Sequence, residues 1–283
     1  MNIEQIPSPV QDLGFEQISR DSICEGVLQD SPQLFMTDGR WNLPALILSD
    51  NNPFTIQVAF YPSTVKEDCR RRTVLTGSAV SQLEQAISML TALSDAVHPS
   101  YPPQAIREIL CNCVCHRSYE SPVPTQIGVY TDRIEFLTIG GLAQGLDIAS
   151  VEMGIAASPN PALANILYLM GIIQNYGTGI GKVRRLYKGE KSQPRFEAAG
   201  GVFKVTLPDC NRAAAEKRAV VYFASEKDQI LSFARDQGMV TRREVEELLA
   251  CGQTKSFGIL KSLCTDGLLL RRGSGRNSVY MPV

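Results

Sequence analysis

The sequence predicts an α+β fold with a mostly antiparallel sheet, followed by a small helical domain that ends in a strand–turn–strand segment. Short runs rich in β-branched and aromatic residues, such as FTIQVAFY at 54–61 and GGVFKVTLP at 200–208, are typical of strands. Residues 78–93 and 103–117 space their apolar side chains at helical intervals. After residue 225 the pattern changes to three short helices and two strands, which indicates a second domain.

Composition restricts the classes of function. A chain of 283 residues has room for two domains, and its 44% hydrophobic and 20% charged content is ordinary for globular proteins. The net charge of −1 excludes a polycation, so any contact with nucleic acid has to be local. The first residues lack the features of a secretory signal, and no apolar run is long enough for a membrane span. Eight cysteines are too sparse for a disulfide scaffold, so we expect a cytoplasmic protein with free thiols and no membrane partner.

Residues 1–97 are interpreted as an α/β segment that packs on, or belongs to, the central domain. NLPALILSD at 42–50 is interpreted as a strand followed by a turn, and FTIQVAFY as a second strand. STVKEDCRRRT predicts a polar loop. SAVSQLEQAISMLTAL at 78–93 predicts a helix with Val80 and Leu83 on its apolar face.

Residues 98–210 are the predicted central domain. Pro103 begins a helix, because proline is favoured at the first helical position. VPTQIGVYTDRIEFLTIGG predicts an antiparallel hairpin that turns at Asp132. Asn160 is a predicted N-cap, with Pro161 opening the helix that follows.

The stretch CNCVCH at 111–116 looks like a metal site but falls inside a predicted helix. A helix places Cys111 and Cys115 one turn apart and directs Cys113 elsewhere, so three thiolates and an imidazole cannot converge on one tetrahedral ion. We interpret the cysteines as small apolar packing residues. His116 is interpreted as a structural hydrogen-bonding group at the helix end, with a role in a site as the alternative.

Glu108 and Asn112 lie one turn apart on the same helix. A carboxylate and a carboxamide on a mostly apolar helix need a polar environment or a ligand. Two interpretations stay open at this point: a satisfied structural pair, or two members of a binding site.

Two glycine-rich stretches follow, IGGLAQG at 139–145 after a strand and YGTGIGK at 176–182 before a basic helix. Glycine lets the backbone approach an anion, and a helix N-terminus offers unpaired N–H groups. Neither stretch has the Gly-Lys-Ser/Thr ending of a P-loop. Each taken alone is more often a tight turn or a helix cap.

The order of these features resembles the GHKL ATPases, and more closely the divergent GHKL-like module of the RecG-related C-terminal type. The segments that carry the resemblance are YPPQAIREILCNCVCHRSY, DRIEFLTIGGL, SPNPALANILYLMGIIQNYGTGIGKVRRL and GGVFKVTLP. The resemblance implies a GHKL-like α/β sandwich that binds ATP with Mg²⁺, in which Glu108 is catalytic by positioning water and Asn112 holds the metal. It also implies a nucleotide-binding set: Asn112, His116, Gly140, Gly141, Gly177, Thr178, Gly179 and Gly181.

The sequence departs from the family pattern where charged groups are usual. His-Arg-Ser-Tyr at 116–119 lacks the usual aspartate, and Pro-Asn-Pro at 159–161 lacks the usual arginine. Gln174 replaces a glutamate, and Thr138 lies where an adenine-reading aspartate is expected. Charge-assisted contacts are the strong ones at phosphate and metal sites. We therefore expect a scaffold or a weakly binding nucleotide sensor rather than an efficient hydrolase.

Residues 211–225 are interpreted as a connector, and residues 226–283 as a winged helix-turn-helix domain. Thr241 is the predicted N-cap of its second helix, and Glu244 completes a capping box.

QTKSFGILKSL is the predicted recognition helix, with Phe257, Leu260 and Leu263 facing the core. The segment 226–283 holds nine basic and seven acidic residues, with the acids concentrated on its second helix. This asymmetry favours binding of double-stranded DNA, and dimerisation through the same fold is the alternative. The predicted DNA-binding residues are Gln253, Thr254, Lys255, Ser256, Lys261, Arg271, Arg272 and Arg276.

The leading hypothesis is a homo-oligomeric, DNA-binding transcriptional regulator whose degenerate GHKL-like module serves as a scaffold or nucleotide sensor. One alternative is a weak Mg²⁺-dependent ATPase. Another is a protein–protein interaction module in which both sites are silent.

Overall fold

The computed structural model describes residues 3–18, 21–67, 69–93, 100–142, 145–155, 157–173, 179–211, 226–249, 251–273 and 278–283. The chain divides into two compact units, Met1–Ala215 and Glu216–Val283, and each is described separately.

The first unit mixes helices and strands, as an α+β fold requires. Its α-helices are α1 (Ser22–Asp30), α2 (Leu43–Leu48), α3 (Ala79–Thr91), α4 (Pro103–His116), α5 (Ile148–Glu152), α6 (Pro161–Leu169) and α7 (Gly179–Leu186). Its strands are β1 (Ile56–Phe60), β2 (Arg71–Leu75), β3 (Thr125–Val129), β4 (Arg133–Ile139), β5 (Arg195–Ala199) and β6 (Val202–Pro208).

These six strands form one sheet in the order β2-β1-β3-β4-β6-β5. Every neighbouring pair is antiparallel except β1 and β3, which run parallel with Ile56 opposite Thr125. The prediction of a mostly antiparallel sheet is confirmed, as is the β3–β4 hairpin that turns at Asp132. Since β1 pairs with β3, strands from the 1–97 segment and from the 98–210 segment share this sheet.

The core lies between one face of the sheet and the helices. Along β4, Ile134, Phe136 and Thr138 are buried, whereas Arg133 and Glu135 lie on the opposite face and are only partly buried. This alternation follows from the two-residue period of a strand. α4 packs against both α3 and β4. Burial of each large apolar side chain contributes about 1.5–3 kcal/mol, so this packing fixes α4 above the sheet.

The stretch NLPALILSD is helical, which corrects the strand predicted at 42–50. The side-chain oxygen of Asn42 accepts a hydrogen bond from the Ala45 N–H at 3.2 Å and so caps α2. Pro44 lies in the first turn, where its missing N–H leaves no hydrogen bond unmade. All six residues of α2 are buried. A wholly apolar run has no periodicity that would distinguish a buried helix from a strand.

The predicted polar loop STVKEDCRRRT runs into a strand. β2 pairs with β1 at one edge of the sheet, and both Arg71 and Arg72 are exposed. Charged side chains are common on edge strands because they disfavour pairing with another chain. The charges that made this segment look like a loop are therefore compatible with its place at the edge.

Among its described residues, the second unit has three α-helices and a small sheet. Its elements are α8 (Glu226–Gln237), β7 (Val240–Thr241), α9 (Arg242–Leu248), α10 (Gln253–Thr265), β8 (Leu269–Arg272) and β9 (Val279–Pro282). The strands pair in the order β7-β9-β8, all antiparallel. Ile230, Val245, Leu260, Leu263 and Tyr280 are central to its core.

The capping box predicted at the start of α9 is confirmed. The Glu244 N–H donates to the Thr241 hydroxyl at 3.3 Å, and the Thr241 N–H donates to the Glu244 carboxylate at 2.7 Å. None of the helices built from the described residues has both the length and the apolar composition that a bilayer crossing requires.

Candidate functional site

A pocket of about 130 Å³ opens between α4, the sheet and the start of α7. Helix α4 contributes Ile109, Asn112, Cys113 and His116. The α4 residues facing the pocket follow helical spacing, so one face of this helix forms one wall.

The other walls are mostly apolar. The sheet contributes Thr138 from β4, and Phe203 and Val205 from β6. The chain between β4 and α6 contributes Leu142, Leu146, Val151, Ile155, Ala157 and Pro159. Asn112, His116 and Thr138 contribute polar side chains to this mostly apolar lining.

Five predicted nucleotide-binding residues line this pocket: Asn112, His116, Gly140, Gly141 and Gly179. Gly181 is not part of the lining, and Glu108 lies beside the pocket rather than in its wall. Gly177, Thr178 and Gln174 fall outside the described residues.

Asn112 offers hydrogen-bonding groups to the pocket. Its carboxamide makes no hydrogen bond within the described part of the chain, and the residue is only partly buried. A carboxamide carries two N–H donors and one carbonyl acceptor. The side chain is therefore available to a ligand, which favours the site interpretation for this residue.

Glu108, in contrast, is already paired. Its Oε2 lies 3.3 Å from Lys182 Nζ on α7, and the two side chains are 18% and 30% exposed, respectively. A Cβ on Gly179 would lie 2.7 Å from Glu108 Oε1 and 2.8 Å from Asn112 Nδ2. Glycine at 179 therefore lets α7 begin directly against the Glu108–Asn112 stripe of α4.

Gly140 is needed for packing at the end of α4. Its φ is +140°, and a Cβ there would lie 2.7 Å from the His116 carbonyl oxygen and 2.8 Å from the Ser118 nitrogen. Its N–H donates to the Gly201 carbonyl at 2.8 Å. Because that N–H is already used, the first glycine stretch is explained by close backbone packing, and the Gly140 N–H does not act as a phosphate donor.

The His116 imidazole lines the pocket and makes no hydrogen bond within the described residues. The predicted structural hydrogen bond at the helix end is thus not present there, and this corrects that interpretation. Burial lowers the pKa of His116, because the charged imidazolium loses solvation. The ring is therefore neutral at pH 7 and presents one donor and one acceptor nitrogen.

The three cysteines of CNCVCH are buried, and burial raises the pKa of Cys111 to about 12 and that of Cys113 to about 11. Cys113 lines the pocket and contacts Thr138, whereas Cys111 lies near the Ile172 carbonyl, with Sγ 3.9 Å from it. Across the described ranges, no cluster of His, Cys, Asp or Glu residues is arranged to hold a metal. The cysteines behave as packing residues, and thiolate chemistry is disfavoured.

Two residues next to the departures from the family pattern, Asn160 and Arg117, stabilise the end of α4. The Asn160 carboxamide donates to the carbonyls of Cys115 and Arg117, each at 2.9 Å. The Arg117 guanidinium is buried, lies 5.1 Å from the rings of Phe54 and Tyr119, and donates to the Val123 carbonyl at 2.7 Å. These residues hold the backbone on which His116 sits and do not face the pocket.

Thr138 is a pocket residue, although the sequence indicated it only as the replacement for a carboxylate. It is buried and is the one polar residue among the inward-facing positions of β4. A polar residue in an otherwise apolar alternation was the available signal. Phe203, Val151 and Ile155 were not predicted, because apolar lining residues look like ordinary core residues in sequence.

The chemistry of the wall suits a neutral ring better than a metal–phosphate group. Among the described residues, no lysine, arginine or carboxylate belongs to the lining. Mg²⁺ usually takes one or two carboxylates together with substrate phosphates, and here Asn112 is its only predicted ligand while Glu108 is paired with Lys182. The residues present therefore do not fit a magnesium site, and we derive no hydrolytic step.

In the second unit, the predicted DNA-binding residues are mostly accessible. Gln253, Thr254, Lys255 and Lys261 are exposed on α10, and Arg271 and Arg272 are exposed on β8. Lys255 pairs with Glu226 on α8. Lys261, Arg271 and Arg272 form no ion pair within the described part of the chain.

Two predictions for α10 are wrong, and the predicted DNA contact Arg276 cannot be placed. Ser256 is fully buried and hydrogen-bonds to Glu246 at 3.2 Å, so it is a packing residue between α10 and α9 rather than a DNA contact. Phe257, predicted to face the core, is 46% exposed. Arg276 lies outside the described residues.

Comparisons with known proteins agree with this architecture. Residues 123–207 match the family described as "Putative ATP-dependent DNA helicase recG C-terminal", which supports an ATPase-like module. The chain is similar to the crystal structure of the DIP2311 protein from Corynebacterium diphtheriae, with a TM-score of 0.61 and 13% identity, over 100% of this chain and 70% of that one. That likeness concerns the fold alone. No curated protein matches the chain.

Proposed function

We propose that the chain is a DNA-binding regulator that senses a purine nucleotide: residues 1–215 bind the base, and residues 216–283 bind duplex DNA. The observation that carries the first half is the Asn112 carboxamide, which lies in a mostly apolar pocket and makes no hydrogen bond to the residues that the structure describes. Asparagine pairs in a bidentate manner with the N6 and N7 edge of adenine. The neutral His116 ring and the Thr138 hydroxyl add further groups that can orient a base.

The matched family region supports a nucleotide rather than an unrelated ligand. It contributes Thr138, Gly140, Gly179 and Phe203 to the pocket. The pairing of Glu108 with Lys182 supports sensing over hydrolysis, because the carboxylate expected to position water is held by a cation. We further propose that the protein is cytoplasmic and forms a homo-oligomer.

The DNA-binding half of the proposal assigns the second unit as a winged helix-turn-helix. Its order of helices and strands supports α9–α10 as the helix-turn-helix and β8–β9 as the wing. Gln253, Thr254 and Lys261 are exposed along α10, where a recognition helix would reach base edges. Arg271 and Arg272 would contact phosphates from the wing.

Fluorescence anisotropy of the full chain with a random-sequence duplex tests this half. Replacing Lys261, Arg271 and Arg272 by glutamine should lower the slope of log affinity against log salt by about 2.7, because each phosphate contact contributes about 0.9. The matched control replaces Lys227, Arg242 and Arg243, cations already paired with Asp266, Glu246 and Glu247. Equal effects of the two triple variants, or no effect of the first, would contradict the proposed DNA surface.

A weak ATPase is the second candidate. It is favoured by the close approach of Gly179 to both Glu108 and Asn112, which places the predicted catalytic and metal-binding side chains at one point. It requires that ligand binding separate Glu108 from Lys182, because Asn112 by itself does not make a magnesium site.

A further inference from the structure

We infer that the outer face of α7 and the turn after it form a second nucleic-acid surface, which binds the phosphate backbone of duplex DNA. We call this the α7 basic surface and define it as Arg184, Arg185, Lys188 and Lys191, all of which are exposed. It lies in the first unit and is separate from the DNA-binding residues proposed on α10 and β8.

The charge of this segment is the first observation. Residues 182–197 hold six basic and two acidic residues, a local excess of four positive charges in a chain whose net charge is −1. The whole segment 226–283 has an excess of only two. One of the two acids in 182–197, Glu197, faces Lys204 at 4.0 Å. A strong local cation cluster in an otherwise acidic chain indicates a polyanionic partner.

Three of these four cations are available to a partner. Arg185, Lys188 and Lys191 form no ion pair among the residues that the structure describes. Attraction between the helix dipole and basic residues explains cations in the last turn of α7, such as Arg184 and Arg185. It does not explain Lys188 and Lys191, which lie beyond the helix.

Packing and hydrogen bonds hold the backbone beneath the surface. Ile180 and Val183 are buried on the inner face of α7, and Tyr187, directly after the helix, is buried with its hydroxyl donating to the Pro208 carbonyl at 3.2 Å. The turn that carries Lys188 is closed by hydrogen bonds from the Lys188 N–H to the Arg185 carbonyl and from the Glu190 N–H to the Tyr187 carbonyl. The cations are therefore presented from a fixed backbone, which reduces the entropy lost on binding.

The neighbouring residues favour a duplex over other polyanions. The aromatic residues of the segment, Tyr187 and Phe196, are buried, so there is no stacking platform for the bases of a single strand. No large apolar side chain of 179–199 is exposed, so the surface lacks the groups that insert into a membrane interface. Exposed cations can bind the backbone phosphates of a duplex without contacting its bases.

The test uses the full chain, a random-sequence duplex and a triple variant in which Arg185, Lys188 and Lys191 are replaced by glutamine. Between about 50 and 200 mM salt, the wild-type chain should lose about 40-fold more affinity than this variant, because three contacts contribute about 2.7 to the salt slope. The matched control replaces Lys66, Arg70 and Arg72, three exposed cations on or near the edge strand β2. It should behave like the wild type.

Three outcomes would overturn the inference: an unchanged salt slope in the α7 triple variant, an equal decrease in the control, or tighter binding of a single strand of the same length. Failure of the C-terminal proposal is distinguishable. In that case glutamines at Lys261, Arg271 and Arg272 would have no effect, while the α7 triple variant would still lose affinity.

Discussion

Glu108 on α4 and Lys182 on α7 form an ion pair, with 3.3 Å between the carboxylate and ammonium groups. The pair joins the two helices that also supply Asn112 and Gly179 to the pocket. Glu108, the predicted catalytic residue, is thereby engaged in an ion pair that links α4 to α7 beside the pocket. In the proposed nucleotide site, this ion pair would disfavour hydrolysis without blocking binding.

The first prediction concerns hydrolysis. Glu108→Gln should leave phosphate release from ATP at the level of the wild type, because the carboxylate is already engaged by Lys182. Loss of a working general base would instead lower turnover by about 10²–10⁴-fold. A continuous phosphate-release assay on the full chain decides between these. A wild-type rate that falls by two orders of magnitude in Glu108→Gln would establish the ATPase alternative.

The second prediction concerns the packing of the first glycine stretch. Gly140→Ala should lower the free energy of unfolding by about 3 kcal/mol, since backbone strain at positive φ adds to overpacking against the end of α4. Gly39→Ala is the control, because Gly39 also has positive φ (+83°) but nothing lies within 4 Å of its Cβ position. It should cost about 1 kcal/mol. Urea unfolding measures both, and equal costs would show that the contacts with His116 and Ser118 are unimportant.

The third prediction follows from the lowered pKa of His116. The unfolded chain takes up this proton as the pH falls through about 6.5, before the folded chain does. The unfolded state then binds more protons, so the free energy of unfolding should decrease below that pH. His116→Gln should weaken this dependence, and His98→Gln, the other histidine variant, gives the reference. If the pH dependence of the free energy of unfolding persisted in His116→Gln and disappeared in His98→Gln, it would arise from His98, and the prediction would be wrong.

The fourth prediction concerns CNCVCH. Burial raises the pKa of Cys111, Cys113 and Cys115, so their thiols should resist iodoacetamide at neutral pH in the folded chain. Cys69 is exposed and should be alkylated first. Peptide mass spectrometry after timed labelling measures this order. Labelling of Cys111 as fast as Cys69 would mean that the side of α4 facing Ile172 opens to solvent.

The sequence was sufficient to predict those elements whose local pattern agrees with the tertiary packing. The helix that carries Glu108 and Asn112, the hairpin at Asp132 and the capping box at Thr241 all have short-range causes that can be read directly. NLPALILSD was misassigned because its six buried helical residues have no polar side to mark the period.

The site was predictable only in part, for a related reason. Helical spacing places Asn112 and His116 on neighbouring positions of α4, but it does not reveal that Lys182 returns to pair with Glu108 across 74 residues of sequence. The role of Gly140 depends on the backbone of residues 116–118 lying against it. Such contacts depend on how α4 packs on the sheet. A glycine-rich stretch has the same sequence pattern whether it accommodates an anion or another backbone segment.

The most direct test of the central claim is calorimetric titration of the full chain with ATP, compared between Gly179→Ala and Gly181→Ala. The added methyl group at 179 would displace the side chains of Glu108 and Asn112, whereas at 181 the nearest atom is the flexible end of Arg185 at 3.6 Å. We predict saturable binding in the wild type and in Gly181→Ala, and at least tenfold weaker binding in Gly179→Ala. Absence of binding by the wild type at about 1 mM ATP, or equal affinity in the two variants, would contradict a nucleotide site in this pocket.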